Sequence, residues 1–138
     1  MAEEISSIVE FSVNLKDAEQ PDPLPMREYT AVIRSAEVRM SQRGTKYGDI
    51  AFYVSPDQYP ADYTDGNPDG TVIPYRRVGL EDNPQARYRT RLFCEAIGAP
   101  LGKKVDVSEW MGLEATIDVG HEEYEGVKRP IILKVKTA

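Results

Sequence analysis

The amino-acid sequence predicts a mainly β protein with five strands and one helix between the third and the fourth. Five separate segments alternate apolar and polar residues, which is the pattern of half-buried strands. A single segment has apolar residues at helical spacing, with an Asn-Pro pair before it and a glycine after it. The length of 138 residues suits one domain that buries roughly 70% of its unfolded surface, so neither metal nor disulfide is needed for stability.

The first strand has an apolar face that changes parity along its length. Tyr29, Ala31 and Ile33 share one parity, whereas Ala36, Val38 and Met40 share the other. Alternation of side chains permits this change only where a strand bulges or bends. We therefore expect a bulge near Arg34 and Ser35, in a long curved strand.

The next two strands flank a long acidic connection. Ile50, Phe52 and Val54 define the inner face of the second strand, so Tyr53 is predicted to point outward. Residues 56–70 are rich in proline, glycine and aspartate and predict a long exposed loop. The third strand spans 72–80, where Pro74 indicates an edge strand or a bulge. The sequence does not show which of its alternate side chains face the core.

The second half of the chain predicts the helix and two further strands. Asn83-Pro84 starts a helix over 84–97 that ends at Gly98, and its predicted apolar face comprises Tyr88, Leu92, Phe93, Ala96 and Ile97. Alternation predicts a fourth strand over 113–119 and a fifth over 131–135, with a turn at Glu125-Gly126. Trp110, in the turn before the fourth strand, is expected to plug the core.

Residues 1–24 predict an acidic N-terminal arm that precedes a domain over 25–138. Val9, Phe11, Val13 and Leu15 alternate with polar residues, which suggests an extended arm or an extra strand. Five strands with one helix between the third and fourth is the arrangement of the OB-fold, a partly open five-stranded barrel. We expect that barrel, with the acidic loop at 56–70.

Charge is unevenly distributed along the chain. The net charge is -6, which argues mildly against nucleic acid, yet residues 34–46 carry four cations (Arg34, Arg39, Arg43 and Lys46) against Glu37 alone. A basic hairpin with tyrosines beside it has the chemistry to hold a flexible polyanion that carries stackable rings. Single-stranded nucleic acid is the polymer of that kind.

An ordered series of short motifs spans residues 24–135 of the chain. It comprises Leu24-Pro25, Glu28 to Ile33, Ser41 to Gly44, Arg91-Leu92-Phe93, Ala96-Ile97-Gly98, Trp110-Met111-Gly112 and Tyr124-Glu125-Gly126. This series resembles phage-encoded single-stranded-DNA-binding proteins of the OB-fold type. The resemblance implies binding of single strands in phage replication or recombination, in the cytoplasm of a bacterial host. Lys134 and Lys136 stand where cellular relatives have an acidic partner-recruiting tail, so recruitment of replication proteins through such a tail is not expected.

In an OB-fold, the face of strands 2 and 3 and the loops between strands 1 and 2 and strands 4 and 5 bind oligonucleotides. Mapped onto this sequence, the site comprises Arg39, Arg43, Lys46, Tyr47, Tyr53, Tyr75, Arg77, Lys128 and Arg129. Tyr53 and Tyr47 have an alternative role as ordinary surface or sheet-packing residues. Tyr75 belongs to the site only if its ring points outward.

Other functions have less support in the sequence. His121 and Cys94 are single and lie far apart in the sequence, so an enzyme is not expected, and no cofactor is expected either. Asp65, Asn67, Asp69 and Gly70 resemble the opening of a calcium loop, but Arg76 stands where its last carboxylate ligand should be. No membrane span is predicted, and self-association stays open. The remaining alternative is an OB-fold that binds protein, which the acidic arm and loop favour.

Overall fold

The computed structural model describes residues 5–138, so the first four residues of the predicted arm lie outside the described range. Five strands and one helix follow in the predicted order. The strands are β1 (Glu28–Met40), β2 (Lys46–Val54), β3 (Thr71–Gly79), β4 (Glu114–Tyr124) and β5 (Val127–Lys136), and the helix α1 (Pro84–Ile97) lies between β3 and β4. Short 3-10 turns occur at Leu15–Asp17, Pro56–Gln58 and Val107–Trp110.

The strands form one antiparallel sheet in the order β3-β2-β1-β4-β5. The two edge strands, β3 and β5, approach each other with Cα atoms within 8 Å, but the described residues form no hydrogen-bonded ladder between them. The prediction of a mainly β fold with one helix after the third strand is therefore confirmed. The sheet itself is open.

The bulge predicted in β1 is present. Ile33 pairs with Phe52 and Ser35 pairs with the adjacent Ala51, so Arg34 is an extra residue in β1. Ala36 consequently turns into the core, as predicted. Val38 and Met40, which share its parity, are exposed because the β1–β2 hairpin extends beyond the core at this end.

The helix has the predicted bounds, with Asn83 as its N-cap. The Asn83 side chain accepts a hydrogen bond from the Ala86 N–H at 2.9 Å, and Gly98 closes the helix with φ of 74°. The predicted apolar face is partly wrong, because Tyr88 and Leu92 are exposed. The buried stripe consists of Phe93, Cys94 and Ile97.

Trp110 lies in the core beneath the β1–β2 hairpin. Its exposed fraction is 1%, and its ring centroid lies 5.3 Å from that of Phe93. A Cβ at Gly48 would meet the indole ring at 3.7 Å, so the glycine of β2 lies almost directly over the ring. The prediction that Trp110 plugs the core is confirmed.

The segment that leads into β1, from Leu24 onward, is hydrogen-bonded to the sheet. The earlier residues of the arm are not part of the sheet. The Leu24 side chain is buried, its carbonyl oxygen lies 2.7 Å from His121 Nε2, and the Tyr29 hydroxyl donates to the Pro25 carbonyl at 2.7 Å. The segment predicted as an extended arm or extra strand, Val9 to Leu15, forms no strand among the described residues. Within residues 5–138, no helix has the length and apolar character required to cross a bilayer.

Candidate nucleic-acid interface

The outer face of β2 places a tyrosine at each end of a shallow surface. Gly48, Ile50, Phe52 and Val54 are buried, so Tyr47, Asp49, Ala51 and Tyr53 form the opposite face. The prediction that Tyr53 points outward is confirmed by this alternation. Tyr53 follows Tyr47 by six positions, which corresponds to about 20 Å along β2. The small Ala51, paired with Pro74 of β3, keeps the surface between the rings low.

The bulge in β1 brings a guanidinium group to one of these rings. The Cζ atom of Arg34 lies 4.5 Å from the centroid of the Tyr53 ring, which is a cation–π geometry. The Tyr53 hydroxyl donates to the Asp69 carbonyl at 2.9 Å. Gly70, with φ of 100°, lies so close to the ring that an added Cβ would come within 2.3 Å of it. Tyr53 is therefore held on the outer face in one orientation.

A second bulge, in β3, places two arginines opposite Asp49. Gly48 pairs with Val78 and Ile50 pairs with Tyr75, so the single residue Asp49 faces both Arg76 and Arg77. Arg76 forms an ion pair with Asp49 at 3.1 Å. Arg77 is exposed and has no ion pair with any residue of the described range.

Arg39, a predicted phosphate ligand, already has two carboxylate partners. Its guanidinium contacts Glu37 at 2.7 Å and Asp49 at 2.8 Å. Exposed pairs of this kind contribute little to stability, about 0–1 kcal/mol, but they balance charge locally. Arg39 thus lies on the predicted face, and its charge is shared in a network with Asp49 and Arg76.

The β1–β2 turn presents two further predicted cations. Hydrogen bonds between Ser41 and Thr45 close the turn, with their hydroxyl oxygens 2.6 Å apart. Gly44 has φ of 81°, which a residue with a side chain rarely adopts. Arg43 and Lys46 are exposed on either side of this glycine, and neither forms an ion pair within residues 5–138.

Tyr75 does not lie on the outer face. Its ring stacks on Phe93 with centroids 5.8 Å apart and meets Phe52 edge-to-face at 6.0 Å. Burial raises the pKa of its phenol, and nearby Arg77 opposes the rise. The sequence assigned Tyr75 to the site only if its ring pointed outward. That condition is not met, because β3 alternates so that Ile73 and Tyr75 face the core.

The second predicted loop lies at the opposite end of the sheet. Glu28 pairs with Asp118 and β4 continues past the start of β1, so the β4–β5 turn is remote from the β1–β2 turn. Arg129 contacts Glu122 at 2.6 Å, and its Cζ atom lies 5.7 Å from the Tyr124 ring centroid. Lys128 is exposed. Of this pair, Lys128 has no carboxylate partner in the described chain.

The acidic 56–70 loop is more ordered than its composition predicts. The Tyr59 hydroxyl donates to the Asn67 carbonyl at 2.9 Å, and the Tyr63 hydroxyl donates to the Asp22 carbonyl at 2.9 Å. The two rings meet edge-to-face at 5.3 Å and pack against the core. The Asp65 carboxylate accepts a hydrogen bond from the Asp22 N–H at 2.7 Å. The loop therefore folds against the chain that leads into β1.

The residues considered for catalysis and metal binding occupy separate environments. Cys94 is buried in the helix, and burial raises the pKa of its thiol. His121 is hydrogen-bonded to the Leu24 carbonyl, which requires the proton on Nε2. Asn67, from the calcium-loop motif, uses its side chain to accept from the Asp69 N–H at 2.9 Å. Residues 5–138 contain no group of three potential metal ligands.

Taken together, β1 after Glu28, the turn, β2 and β3 carry a charge opposite to that of the whole protein. Six cations and two carboxylates give these segments a net charge of +4, in a chain of net charge -6. Two of the six cations, Arg34 and Arg76, were absent from the sequence-based site: the bulge in β1 brings Arg34 to the Tyr53 ring, and the ion pair of Arg76 with Asp49 depends on the register of β3 with β2. A comparison with protein-family models and another with curated proteins find no match to this chain.

Proposed function

We propose that this protein is an OB-fold that binds single-stranded DNA without catalysis and largely without regard to sequence. The open sheet, the order of its strands and the near approach of β3 and β5 agree with a partly open barrel. The observation that carries the function is the outer face of β1, β2 and β3 with the adjoining β1–β2 turn, where two tyrosines lie among five cations (Arg34, Arg39, Arg43, Arg76 and Arg77) on a protein of opposite net charge.

Each component of this face has a physical role in holding a single strand. Exposed rings and guanidinium planes accept stacked bases, and stacking contributes about 1–3 kcal/mol per base whatever the base. Cations near phosphates release condensed counterions, so affinity depends on salt. Arg43 and Arg77 lack ion-pair partners among residues 5–138 and are the first candidates for phosphate contacts. Lys46 of the predicted site also lacks such a partner, but it shares the parity of the buried Gly48 and Ile50 and therefore lies on the other side of β2. Arg34 and Tyr53 are the first candidates for stacking.

The proposed biological role is coating of exposed strands in phage DNA replication or recombination, inside the bacterial host. This role depends on the resemblance to phage-encoded single-stranded-DNA-binding proteins. The proposed site includes the predicted residues Arg39, Tyr47, Lys128 and Arg129 as secondary contacts. Arg39 and Arg129 already have carboxylate partners, and Lys128 lies at the opposite end of the sheet from the β1–β2 turn.

The proposal is tested by fluorescence anisotropy with labelled single-stranded and duplex oligonucleotides across a salt series. We expect binding to an oligothymidine with a log-log salt slope near 0.7 per neutralised phosphate, and weaker binding to the duplex. Arg43→Glu should weaken binding and lower that slope. Arg89→Glu is the matched control, because it makes the same change in net charge at an exposed helix position. Equal effects of the two variants would contradict a local contact.

A second candidate function is a protein-binding module that does not bind nucleic acid. The carboxylate partners of Arg39 and Arg129 favour it, because charges already balanced within the protein attract phosphate less. In that case no oligonucleotide would bind at low ionic strength. The same anisotropy experiment therefore separates the two functions.

A further inference from the structure

The N-terminal arm carries a row of large apolar side chains that the rest of the described chain leaves exposed. Ile5, Ile8, Val9, Phe11, Val13 and Leu15 have exposed fractions between 57% and 94%. Val9, Phe11, Val13 and Leu15 also alternate with polar residues, so an extended arm would place them on one side. A contiguous apolar surface of this kind usually marks a contact with another molecule.

An exposed groove of about 850 Å³ lies between the β1–β2 hairpin and α1. Its apolar lining comprises Val38, Leu80, Leu101, Val105 and Val107, several of which are substantially exposed. Lys46, Arg87, Arg91 and Lys103 line it against Glu81 and Asp82, so its charged residues sum to +2. Residues 5–15 of the arm carry one carboxylate, Glu10, and no cation, a net charge of -1.

The groove also borders a stretch of strand edge. The ladder between β1 and β4 ends at Val32, and the neighbouring backbone hydrogen bonds stop at Ile33. From Arg34 to Met40, that side of β1 makes no backbone hydrogen bond with the rest of residues 5–138. Val38 lies both on this edge and in the groove. An extended segment could pair with such an edge and place alternate side chains in the groove.

The arm lies outside the groove of its own chain. Hydrogen bonds from Gln20 to the Lys128 carbonyl and from the Asp22 N–H to Asp65 fix its base at the β4–β5 end of the sheet. No residue from 5 to 20 lines the groove, and the apolar side chains of the arm are exposed.

We propose that residues 5–15 of one copy dock as an extended strand in the groove between the β1–β2 hairpin and α1 of a second copy. The arm provides apolar side chains at alternate positions and a negative charge, and the groove provides an apolar lining, a positive charge and a strand edge. The occupant is a second copy because the arm of the same chain lies outside this groove, with its base fixed at the other end of the sheet.

The first experiment measures self-association in the absence of DNA, so its result is independent of the proposed function. Sedimentation velocity over the micromolar range should show a concentration-dependent dimer or larger species. Phe11→Glu should raise the dissociation constant about ten- to a hundred-fold, because it removes a buried aromatic side chain from the contact. Ser12→Glu is the matched control, since it adds the same charge on the opposite side of an extended arm and should leave association unchanged.

The second experiment identifies the two surfaces. Chains with Phe11→Cys and chains with Leu101→Cys, both in a Cys94→Ala background, are mixed and mildly oxidised. A disulfide between the two kinds of chain is expected. Both substitutions are at exposed positions, so the fold should be retained. A monomer at every concentration, association unaffected by Phe11→Glu, or no disulfide between the mixed chains would overturn the proposal.

Discussion

The role of the Tyr53 ring can be separated from the role of its hydroxyl group. The ring lies under Arg34 on the outer face, whereas the hydroxyl tethers the acidic loop through the Asp69 carbonyl. Tyr53→Phe removes only the tether, and Tyr53→Ala removes both. If the ring stacks on a base, Tyr53→Ala should cost about 1–3 kcal/mol of binding free energy, or about 5- to 150-fold in the dissociation constant. Tyr53→Phe should change it by less than about threefold, because the stacking surface is retained.

Anisotropy titrations of an oligothymidine at one fixed salt concentration measure both effects. Tyr88→Ala is the matched control, because Tyr88 is an exposed tyrosine on α1, away from the proposed face. Thermal melting of each variant checks that the fold is retained. Since the cation–π contact with Arg34 is exposed, its loss should cost only about 0.5–1 kcal/mol of stability.

Two outcomes would refute this reasoning. If Tyr53→Phe weakens binding as much as Tyr53→Ala, the loop tether and not the ring determines affinity. If Tyr53→Ala binds as well as the unchanged protein or the Tyr88→Ala control, the outer face of β2 is not a stacking surface.

Three further predictions concern stability. Gly70→Ala should lower the free energy of unfolding in urea by at least about 1–2 kcal/mol, because φ of 100° disfavours a side chain and the Cβ meets the Tyr53 ring; Gly102→Ala, with ordinary contacts, should not. Trp110→Ala should lower the free energy of unfolding by about 3–5 kcal/mol. Unfolding of this variant is measured by circular dichroism, because the substitution removes the single tryptophan that fluorescence would report. Burial raises the pKa of Tyr29 from 10.0 to about 12, so its stabilising contribution is complete below pH 10 and is lost as the pH rises to 12. The stability advantage of the unchanged protein over Tyr29→Phe should shrink across that range, and a constant difference would contradict the shift.

The sequence predicted those parts of the fold that depend on local patterns. Alternation located the strands, the change of parity located the bulge at Arg34, and Asn83 with Gly98 gave the ends of the helix. These features depend on neighbours a few residues apart. The core position of Trp110 followed from its place in a turn before a strand.

The parts that the sequence did not predict depend on distant contacts. The bulge in β3 is visible only in its register with β2, so the pairing of Arg76 with Asp49 could not be derived from the sequence. The inward ring of Tyr75 follows alternation with the buried Ile73, but the sequence did not show which parity of β3 faces the core. The partners of Arg39 on β2 are equally non-local. Composition alone also missed the order of the acidic loop, because Tyr63 holds it through a hydrogen bond to a residue of the arm.

The two bulges couple the curvature of the sheet to its charge. Arg34 is the inserted residue in β1, and Arg76 with Arg77 share one partner in β3, so the same residues that bend the strands also supply cations to the outer face. Deletion of Arg34 would remove one charge and the bulge together, while Ser35 could still pair with Ala51 and Ala36 could still face the core opposite Ile50. A change in the length of β1 at this position therefore alters curvature and charge together, whereas a substitution there alters the charge alone.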